Sequence, residues 1–371
     1  MATGKLAIFS DLHLDPWTSF ANIDERGLNT RLVQVAETLD FILKEAEREK
    51  CDAVLFCGDF FHRKSVAIET LHIAAEYLAK TSVPLVMIPG NHDEADKYAN
   101  FHATKTLKGR AIILDNDNTS INLAGYSIVG IPYLGSVDLV TRIKERLGNT
   151  KPDILMLHAP IEDALMGSDF ITHEGTGVDE AKLFNMAKLT LVGHYHQPQY
   201  FGELDIYGGW EVHIPAQDGD VYKVSTPTVL IPGAPLQHNI GDRDTSRGFW
   251  LYDGKSLTFR DSKAPRFVNV TEKELESMDS NEYEIFIKNN YVTIQTDDRV
   301  KADQLVKSLK GARGVQSSVS GATKRELKDS RINFKDKSDY KSNIHQYCEA
   351  MKTTKDVEEL GVRLIEEARK Q

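Results

Sequence analysis

Cysteine and long apolar segments are scarce in this chain of 371 residues. Its three cysteines, Cys51, Cys57 and Cys348, are too few for a disulfide framework, so free thiols in a reducing compartment are expected. No apolar run reaches the length of about eighteen residues that a membrane span requires. The first residues lack the pattern of a secretion signal, and a cytoplasmic protein is expected.

Repeats and low-complexity tracts are also absent, which excludes collagen-like, rod-like and mucin-like proteins. Hydrophobic residues make up 41% and charged residues 27%, values that favour a folded globular chain over a disordered one. The length predicts two domains, or one large domain with an appendage.

Charge is unevenly distributed along the chain. The net charge of −10 argues against simple coating of nucleic acid. Residues 1–263 carry 25 basic and 36 acidic side chains, whereas residues 299–341 carry 12 basic and 5 acidic ones. This basic segment is a candidate surface for a phosphate backbone, although on charge alone a solvated lysine-rich face is the favoured interpretation.

Short apolar runs alternate with helical patterns in the first part of the chain. Residues 6–10, 53–57 and 85–88 have the pattern of buried strands, and apolar residues recur at helical spacing over 32–46 and 71–78. This order predicts an α/β fold with helices on the faces of the sheet. Further strands are predicted over residues 127–131, 154–157, 189–192, 228–231, 249–252 and 257–259, with a helix near 137–147.

A different pattern follows a boundary predicted at residues 261–265. A small α+β module is expected there, with strands over 283–287, 291–295 and 315–319 and a helix over 300–309. Two amphipathic helices are predicted at the end of the chain, with stripes at Tyr340, Ile344, Tyr347 and Met351 and at Val357, Leu360, Leu364 and Ala368.

Five segments rich in metal-ligating atoms end or follow predicted strands. They are Asp11-Leu12-His13, Gly58-Asp59-Phe60-Phe61-His62, Gly90-Asn91-His92-Asp93, His158-Ala159-Pro160 and Gly193-His194-Tyr195-His196. Because ligands bind at the carboxyl ends of strands in open α/β sheets, these segments are expected to converge. Buried carboxylates and imidazoles need a partner, and no matching group of Lys or Arg is interleaved with them.

A metal centre is therefore expected. Nitrogen and oxygen ligands without a thiolate suit manganese, iron, zinc or magnesium. The seven ligands are too many for one ion with an open position, which indicates two ions about 3.5 to 4 Å apart that share a carboxylate. Glycines at positions 58, 90 and 193 permit the tight turns that direct these side chains.

The order of these motifs over residues 5–262 resembles the calcineurin-like metallophosphoesterase superfamily. The resemblance implies a sandwich of mixed sheets flanked by helices, with a small α+β capping domain and C-terminal helices. It implies one ion held by Asp11, His13, Asp59 and His196, and a second held by Asp59, Asn91, His158 and His194. It further implies in-line attack by an activated water, with His92 protonating the leaving oxygen and Asp93 orienting the His92 ring.

Four features resemble one branch, the SbcD-type DNA double-strand-break repair nucleases in a bacterial or bacteriophage version. They are His62 three residues after Asp59, the turn Pro232-Gly233-Ala234-Pro235-Leu236-Gln237, the strand Arg247-Gly248-Phe249-Trp250, and the appended module with its helices. This resemblance implies a manganese-dependent exonuclease on duplex ends and endonuclease on single strands or hairpins, with His62 positioning DNA. Magnesium, iron or zinc are the alternative ions.

The same resemblance divides the chain into a nuclease domain at 1–262, a DNA-contacting capping domain at 263–330 and a helical segment at 331–371. That last segment is expected to bind an SMC-like coiled-coil ATPase of the SbcC type, or else to fold back on its own domain. A homodimer is expected, with no membrane association. A bacteriophage version would act in the host cytoplasm.

A small-molecule phosphodiesterase or pyrophosphatase remains the alternative. Asp15-Pro16-Trp17 stands where the repair nucleases usually have glycine, and it resembles lipid-precursor pyrophosphatases, although those carry arginine in place of His92. A non-enzymatic scaffold is disfavoured because it would not require His92. Outside the motifs, His238 is expected in a surface turn, and Trp17 and Tyr195 are expected to serve packing.

Overall fold

The computed structural model describes most of the chain. The described residues are 4–94, 100–134, 139–162, 164–166, 170–171, 177–178, 182–184, 186–204, 210–215, 217–224, 228–243, 245–319, 341, 344–345, 348 and 355–368. Two units can be distinguished, Met1–Ile294 with Ser308–Gln316, and Gln295–Lys307 with Ser317–Gln371. No described helix is long and apolar enough to cross a membrane.

Nineteen strands and seven α-helices are present in the described residues. The strands are β1 (Leu6–Phe9), β2 (Ala53–Phe56), β3 (Leu85–Met87), β4 (Ile112–Ile113), β5 (Ser120–Leu123), β6 (Tyr126–Ile131), β7 (Ile154–His158), β8 (Leu165–Met166), β9 (Phe170–Ile171), β10 (Leu189–Gly193), β11 (Gln199–Leu204), β12 (Trp210–His213), β13 (Val221–Lys223), β14 (Thr228–Ile231), β15 (Gly248–Tyr252), β16 (Ser256–Asp261), β17 (Phe267–Thr271), β18 (Tyr291–Thr296) and β19 (Gly314–Val319). The helices are α1 (Thr30–Arg48), α2 (Ile68–Leu78), α3 (Leu139–Leu147), α4 (Glu272–Ser277), α5 (Ser280–Phe286), α6 (Arg299–Ser308) and α7 (Lys355–Ala368).

Two seven-stranded mixed sheets form the larger unit. Their strand orders are β13-β16-β15-β1-β2-β3-β4 and β12-β11-β14-β10-β7-β6-β5. In the first sheet β1 pairs with β2, β2 with β3 and β3 with β4 in parallel, whereas β15 is antiparallel to β1. In the second sheet β6, β7, β10 and β14 are parallel neighbours. Each sheet therefore brings the carboxyl ends of several parallel strands to one edge.

Alternation along β1 shows how the layers are arranged. Leu6 and Ile8 belong to the apolar cluster that also contains Leu189 and Leu191 of the second sheet. Ala7 and Phe9 belong instead to the cluster formed with α1 and α2. Because successive side chains of a strand point to opposite faces, one face of this sheet packs on the second sheet and the other on helices. This mixed α/β arrangement confirms the predicted fold class.

Two sequence predictions beyond the core differ from the structure. Residues 283–287 were expected to be a strand but lie largely in α5, because Asp279 caps this helix and Glu282 completes a capping box. No strand was predicted over residues 201–221, yet this segment contributes to β11, β12 and β13. The predicted elements over 291–295, 300–309 and 315–319 correspond to β18, α6 and β19.

The predicted terminal segments are only partly described. Helix α7 coincides with the second predicted stripe, whereas most of the first, over 340–351, lies outside the described residues. Residues 320–340 of the basic segment also lie outside them. The two boundaries between the three predicted domains remain predictions.

Candidate metal centre

The five ligand-rich segments converge at one place. The backbone N–H of His194 donates to both carboxylate oxygens of Asp11, at 3.1 and 3.2 Å. The Nε2 atom of His158 lies 3.3 Å from Asp59 Oδ2 and 3.0 Å from Asn91 Oδ1. The loops that follow β1, β2 and β3 of one sheet therefore meet those that follow β7 and β10 of the other.

Four of the candidate ligands have left-handed backbone conformations. Asp11, His13, Asp59 and His194 have φ angles of 52, 48, 58 and 108°. Such values are uncommon for residues with a side chain and persist only where the surroundings enforce them. Four of the nine described non-glycine residues with positive φ are thus candidate ligands.

Glycine is required where these loops approach one another. A Cβ atom on Gly90 would collide with the Asp59 carboxylate, and a Cβ atom on Gly193 would collide with the carbonyl of Cys57. That carbonyl accepts a hydrogen bond from Nδ1 of His158 at 2.8 Å, which leaves Nε2 of the ring facing Asp59. The close approach of Gly193 to the Cys57 carbonyl therefore helps to fix the orientation of the His158 ring.

The first expected ligand group is brought together. The Nε2 atoms of His13 and His196 are 3.1 Å apart, and His13 Nε2 lies 3.7 Å from Asp59 Oδ2 and 4.0 Å from Asp11 Oδ1. Asp11, His13 and Asp59 are buried, and their ligand atoms all lie within 4.8 Å of one another.

The second expected group forms around Asn91. Its Oδ1 atom lies 3.0 Å from His158 Nε2 and 3.1 Å from His194 Nδ1. Asp59 is close to both groups, since its Oδ2 atom faces His13 and His158. All seven residues expected to be ligands are therefore adjacent, with Asp59 between the two groups.

Burial and mutual interaction shift the pKa values of four candidate ligands. Burial raises the pKa of Asp11. At Asp59, burial also opposes the charge, but the positive charge of His158 outweighs it and lowers the pKa. At His158, burial opposes protonation, yet Asp59 and then Asp11 raise the pKa to about 10. Burial, followed by the charge on His158, lowers the pKa of His194 to about 4.

The donor set fits divalent metal ions. In the described part of the chain, no lysine or arginine side chain forms an ion pair with Asp11 or Asp59. Two buried carboxylates, one amide oxygen and four imidazoles remain to satisfy one another, and an isolated buried carboxylate is costly. Oxygen and imidazole ligands suit manganese, zinc, iron and magnesium ions. These residues could hold metal.

His92 lies beside the cluster, and its ring is held differently from our expectation. Its backbone N–H donates to Asp59 Oδ1 at 2.8 Å, and its Nδ1 atom lies 2.8 Å from the carbonyl oxygen of His62. Asp93, expected to orient this ring, instead accepts backbone N–H bonds from Phe60, Phe61 and Gly90. The Asp93 carboxylate therefore joins two ligand loops.

His62 lies next to both His13 and His92. Its Nδ1 atom is 3.2 Å from His13 Nδ1, and its ring is stacked on that of His92 with centroids 5.0 Å apart. The ring of Trp17 lies on His62 at a centroid distance of 4.3 Å. Trp17 also donates from Nε1 to the carbonyl of His13 at 3.2 Å, in keeping with the packing role expected for it.

Sequence reasoning missed a second layer of residues. His238, expected in a surface turn, is buried and its Nε2 atom lies 3.0 Å from the carbonyl oxygen of Asp11. Asp242 Oδ1 lies 3.6 Å from His196 Nδ1, and Arg247 donates to Asp242 and to the His196 carbonyl. The turn motif at 232–237 precedes His238, and Arg247 belongs to the motif at 247–250. Both motifs indicated a branch of the family, but neither indicated these contacts.

Tyr195, by contrast, has a structural role. Its hydroxyl donates to the carbonyl of Ile161 at 3.0 Å and accepts from the backbone N–H of the same residue at 3.1 Å. Its side chain is buried in the apolar cluster that contains Phe201 and Val192. The hydroxyl thus satisfies backbone groups of the neighbouring loop, which agrees with the packing role expected from the sequence.

Comparison with known families identifies the class of protein. Residues 4–198 match the calcineurin-like phosphoesterase family, so the chain belongs to that family. Metallophosphoesterases use a dinuclear metal site, in agreement with the convergence of imidazole and carboxylate groups described above. The chain is therefore a hydrolase of the metallophosphoesterase type.

Among curated proteins, the chain is similar to the DNA double-strand break repair protein Mre11 of Sulfurisphaera tokodaii. The two are 26% identical over 218 residues, which is 54% of this chain and 51% of that protein. The chain thus spans about half the length of this relative.

Two solved structures are also similar. A metallophosphoesterase from Sphaerobacter thermophilus is 16% identical, with a TM-score of 0.34 over 70% of this chain and 87% of that one. The purple acid phosphatase PPD1 from yellow lupin seeds is 14% identical, with a TM-score of 0.44 over 71% of this chain and 52% of that one.

Proposed function

We propose that this protein is a two-metal nuclease that cleaves DNA, as an exonuclease at duplex ends and an endonuclease on single strands or hairpins. The observation that carries this proposal is the pair of stacked rings of His62 and His92 beside the candidate ligand His13. They offer a proton donor and a second polar group that can position a phosphodiester. The similarity to a DNA double-strand break repair protein supports DNA as the substrate.

In this proposal Asp11, His13, Asp59 and His196 hold one ion, and Asp59, Asn91, His158 and His194 hold the other. Manganese is the proposed ion, with magnesium, iron or zinc as alternatives. Bound ions of this kind act as Lewis acids toward phosphoryl oxygens and lower the pKa of water. The remaining chemistry belongs to side chains around the ligands.

His92 is the proposed proton donor to the leaving oxygen. A carbonyl oxygen can only accept a hydrogen bond, so Nδ1 of His92 carries a hydrogen toward His62 O. The proton that is transferred therefore leaves from Nε2. Because the backbone N–H of His92 donates to Asp59, the ring is placed at a fixed distance from that candidate ligand.

The C-terminal helix is the proposed contact with an SMC-like coiled-coil ATPase of the SbcC type. Val357 and Leu360 of α7 are 49% and 44% exposed, and they lie three positions apart on one side of the helix. An exposed apolar stripe of this kind suits a helix in a partner's groove. We further propose that the protein is a homodimer that acts in a DNA repair and recombination complex in the cytoplasm.

A substrate comparison tests the proposal. Purified protein with added manganese should degrade duplex ends and single-stranded DNA, and Asp59→Asn should abolish this activity because Asp59 lies between both ligand groups. The matched control is Asp40→Asn, which removes a partly exposed carboxylate that pairs with Lys44 and lies outside the ligand groups. Hydrolysis confined to bis-p-nitrophenyl phosphate, cyclic nucleotides or pyrophosphates would replace the nuclease assignment with the small-molecule alternative.

Co-purification tests the partner. The double variant Val357→Glu and Leu360→Glu should lose the ATPase subunit and retain hydrolysis of small phosphodiesters. Glu359→Lys, on an exposed position of the same helix, is the control that should retain the partner. Full recovery of the ATPase with the double variant would contradict the assignment of α7.

A further inference from the structure

Arg31 is a fully buried cation in the first turn of α1. No carboxylate pairs with it in the described part of the chain. Its guanidinium lies 4.9 Å from the ring centroid of Phe267 and 4.5 Å from that of Tyr291. It donates from Nη1 to Gln34 Oε1 at 2.7 Å and from Nη2 to the carbonyl of His238 at 2.9 Å. Two aromatic faces and two hydrogen bonds therefore fix its plane.

His238 connects this cation to the candidate metal centre. Its side chain is buried, with 1% of the residue exposed. Its Nε2 atom donates to the carbonyl oxygen of Asp11 at 3.0 Å, since a carbonyl can only accept. Asp11 has a φ of 52°, so its backbone occupies a conformation that needs support from outside the loop.

We propose that Arg31 and His238 form a positioning relay through which the aromatic pair Phe267 and Tyr291 sets the geometry of Asp11. The proposal rests on the two-metal function proposed above. In this proposal Arg31 and His238 act through Asp11 and are not among the seven proposed ligands, although a ring nitrogen of His238 lies within 4.8 Å of ring nitrogens of His13 and His196. Their contribution is to hold a candidate ligand in its strained conformation and to make this depend on the start of β17 and β18.

A second contact joins the same elements. The backbone N–H of Phe267 donates to Gln237 Oε1 at 2.7 Å, and Gln237 precedes His238. β17 therefore contacts the 237–238 turn both through the backbone of Phe267 and through Arg31. A displacement of β17 that breaks these contacts would take the Phe267 ring away from a buried guanidinium, which is unfavourable. The contacts are thus mutually dependent.

Manganese affinity of the apo protein, measured by titration with electron paramagnetic resonance, tests the relay. His238→Ala should weaken binding about 10- to 100-fold, the range found when groups that orient metal ligands are removed. His238→Gln should restore much of this, because a glutamine amide can still donate to the Asp11 carbonyl. Arg31→Met should weaken binding, Arg31→Lys less so, and Tyr291→Ala more than Tyr291→Phe.

The double variant Arg31→Met with His238→Ala separates a relay from two independent effects. If Arg31 acts through His238, the fold-loss of manganese affinity in the double variant should be smaller than the product of the fold-losses in the two single variants. Leu257→Ala, in the apolar cluster between the sheets, is the control: it should lower the thermal midpoint and leave manganese affinity unchanged. A loss of affinity in this control equal to that in Arg31→Met would overturn the relay.

Two further outcomes are distinguishable. Wild-type protein that binds no manganese overturns the proposed metal function and with it the relay. Wild-type protein that binds two ions, with the same affinity retained in His238→Ala and Arg31→Met, overturns the relay alone. Kinetics give a further readout. The relay is supported if His238→Ala raises the manganese concentration needed for half-maximal rate but has little effect on the rate at saturating manganese.

Discussion

Asp242→Asn is expected to damage both the stability of the protein and its metal affinity. The two oxygens of Asp242 are both used as acceptors: Oδ2 accepts from the backbone N–H of His238 at 2.9 Å, and Oδ1 accepts from Arg247 Nη2 at 3.0 Å. Oδ1 also lies 3.6 Å from His196 Nδ1. In asparagine one oxygen becomes an NH2 group, so either orientation of the amide places donor against donor.

The magnitude follows from the burial of the pair. Arg247 is only 6% exposed, so Asp242→Asn leaves a buried guanidinium without its carboxylate. Breaking a buried ion pair at one partner costs about 3 to 5 kcal/mol, and the 14% exposure of the Asp242 side chain places the expected loss near the lower end, about 3 kcal/mol. At roughly 2 to 4 °C per kcal/mol, the thermal midpoint should fall by roughly 6 to 12 °C.

Calorimetry and manganese titration measure the two effects separately. Affinity should fall about 10- to 100-fold, because the ring of His196 loses the carboxylate that orients it. In the double variant Asp242→Asn with Arg247→Met the thermal midpoint should partly recover, since the uncompensated cation is gone, while affinity stays low. A midpoint within about 1 °C of wild type, together with unchanged affinity, would refute this account of the second layer.

Three further outcomes are expected. His92→Gln should retain manganese binding and lose about 10²- to 10⁴-fold in DNA hydrolysis, with a smaller loss on p-nitrophenyl esters, whose leaving group needs no proton; loss of metal binding would contradict the acid role. Gly193→Ala should lower stability by about 1 to 3 kcal/mol in denaturant titration and weaken metal binding, because its Cβ would displace the Cys57 carbonyl that holds His158. Burial opposes the charge of Asp115, but hydrogen bonds from backbone N–H groups outweigh it and lower the pKa of this carboxyl group. The ionised carboxylate therefore stabilises the folded state above about pH 4, and this stabilisation is lost as pH falls. Asp115→Asn should flatten the fall of the thermal midpoint between about pH 5 and 3.

Much of the catalytic fold could be predicted because burial and chemistry coincide in short stretches. β1, β2, β3, β7 and β10 are buried throughout and mainly apolar, as expected for parallel strands covered on both faces. Polar ligand residues stand at the end of each of these strands or within four positions after it. Within each sheet, the convergence of those residues follows from the parallel arrangement.

The errors in predicted secondary structure have two causes, a helix cap that outweighs an alternating pattern and strands of unusual composition. Residues 283–287 alternate apolar and polar side chains like a strand, but Asp279 and Glu282 form a capping box that starts a helix there. The capping signal was present in the sequence and outweighed a short alternation. β11 and β12 contain glycine and acidic residues, which are depleted in strands. The sequence pattern therefore did not predict these two strands, which pair with each other at the edge of the second sheet.

The second layer could not be predicted from sequence because its contacts have no local signature. His238 meets Asp11 across 227 positions, and Arg247 meets the carbonyl of His196 across 51. Ligand side chains are recognisable because metal chemistry restricts their type, whereas a backbone carbonyl accepts equally well from histidine, arginine, glutamine or asparagine. Many residue types can thus support the same ligands. Variation in the relay and in the Asp242 pair should therefore alter metal affinity without altering the ligand motifs over residues 11–196.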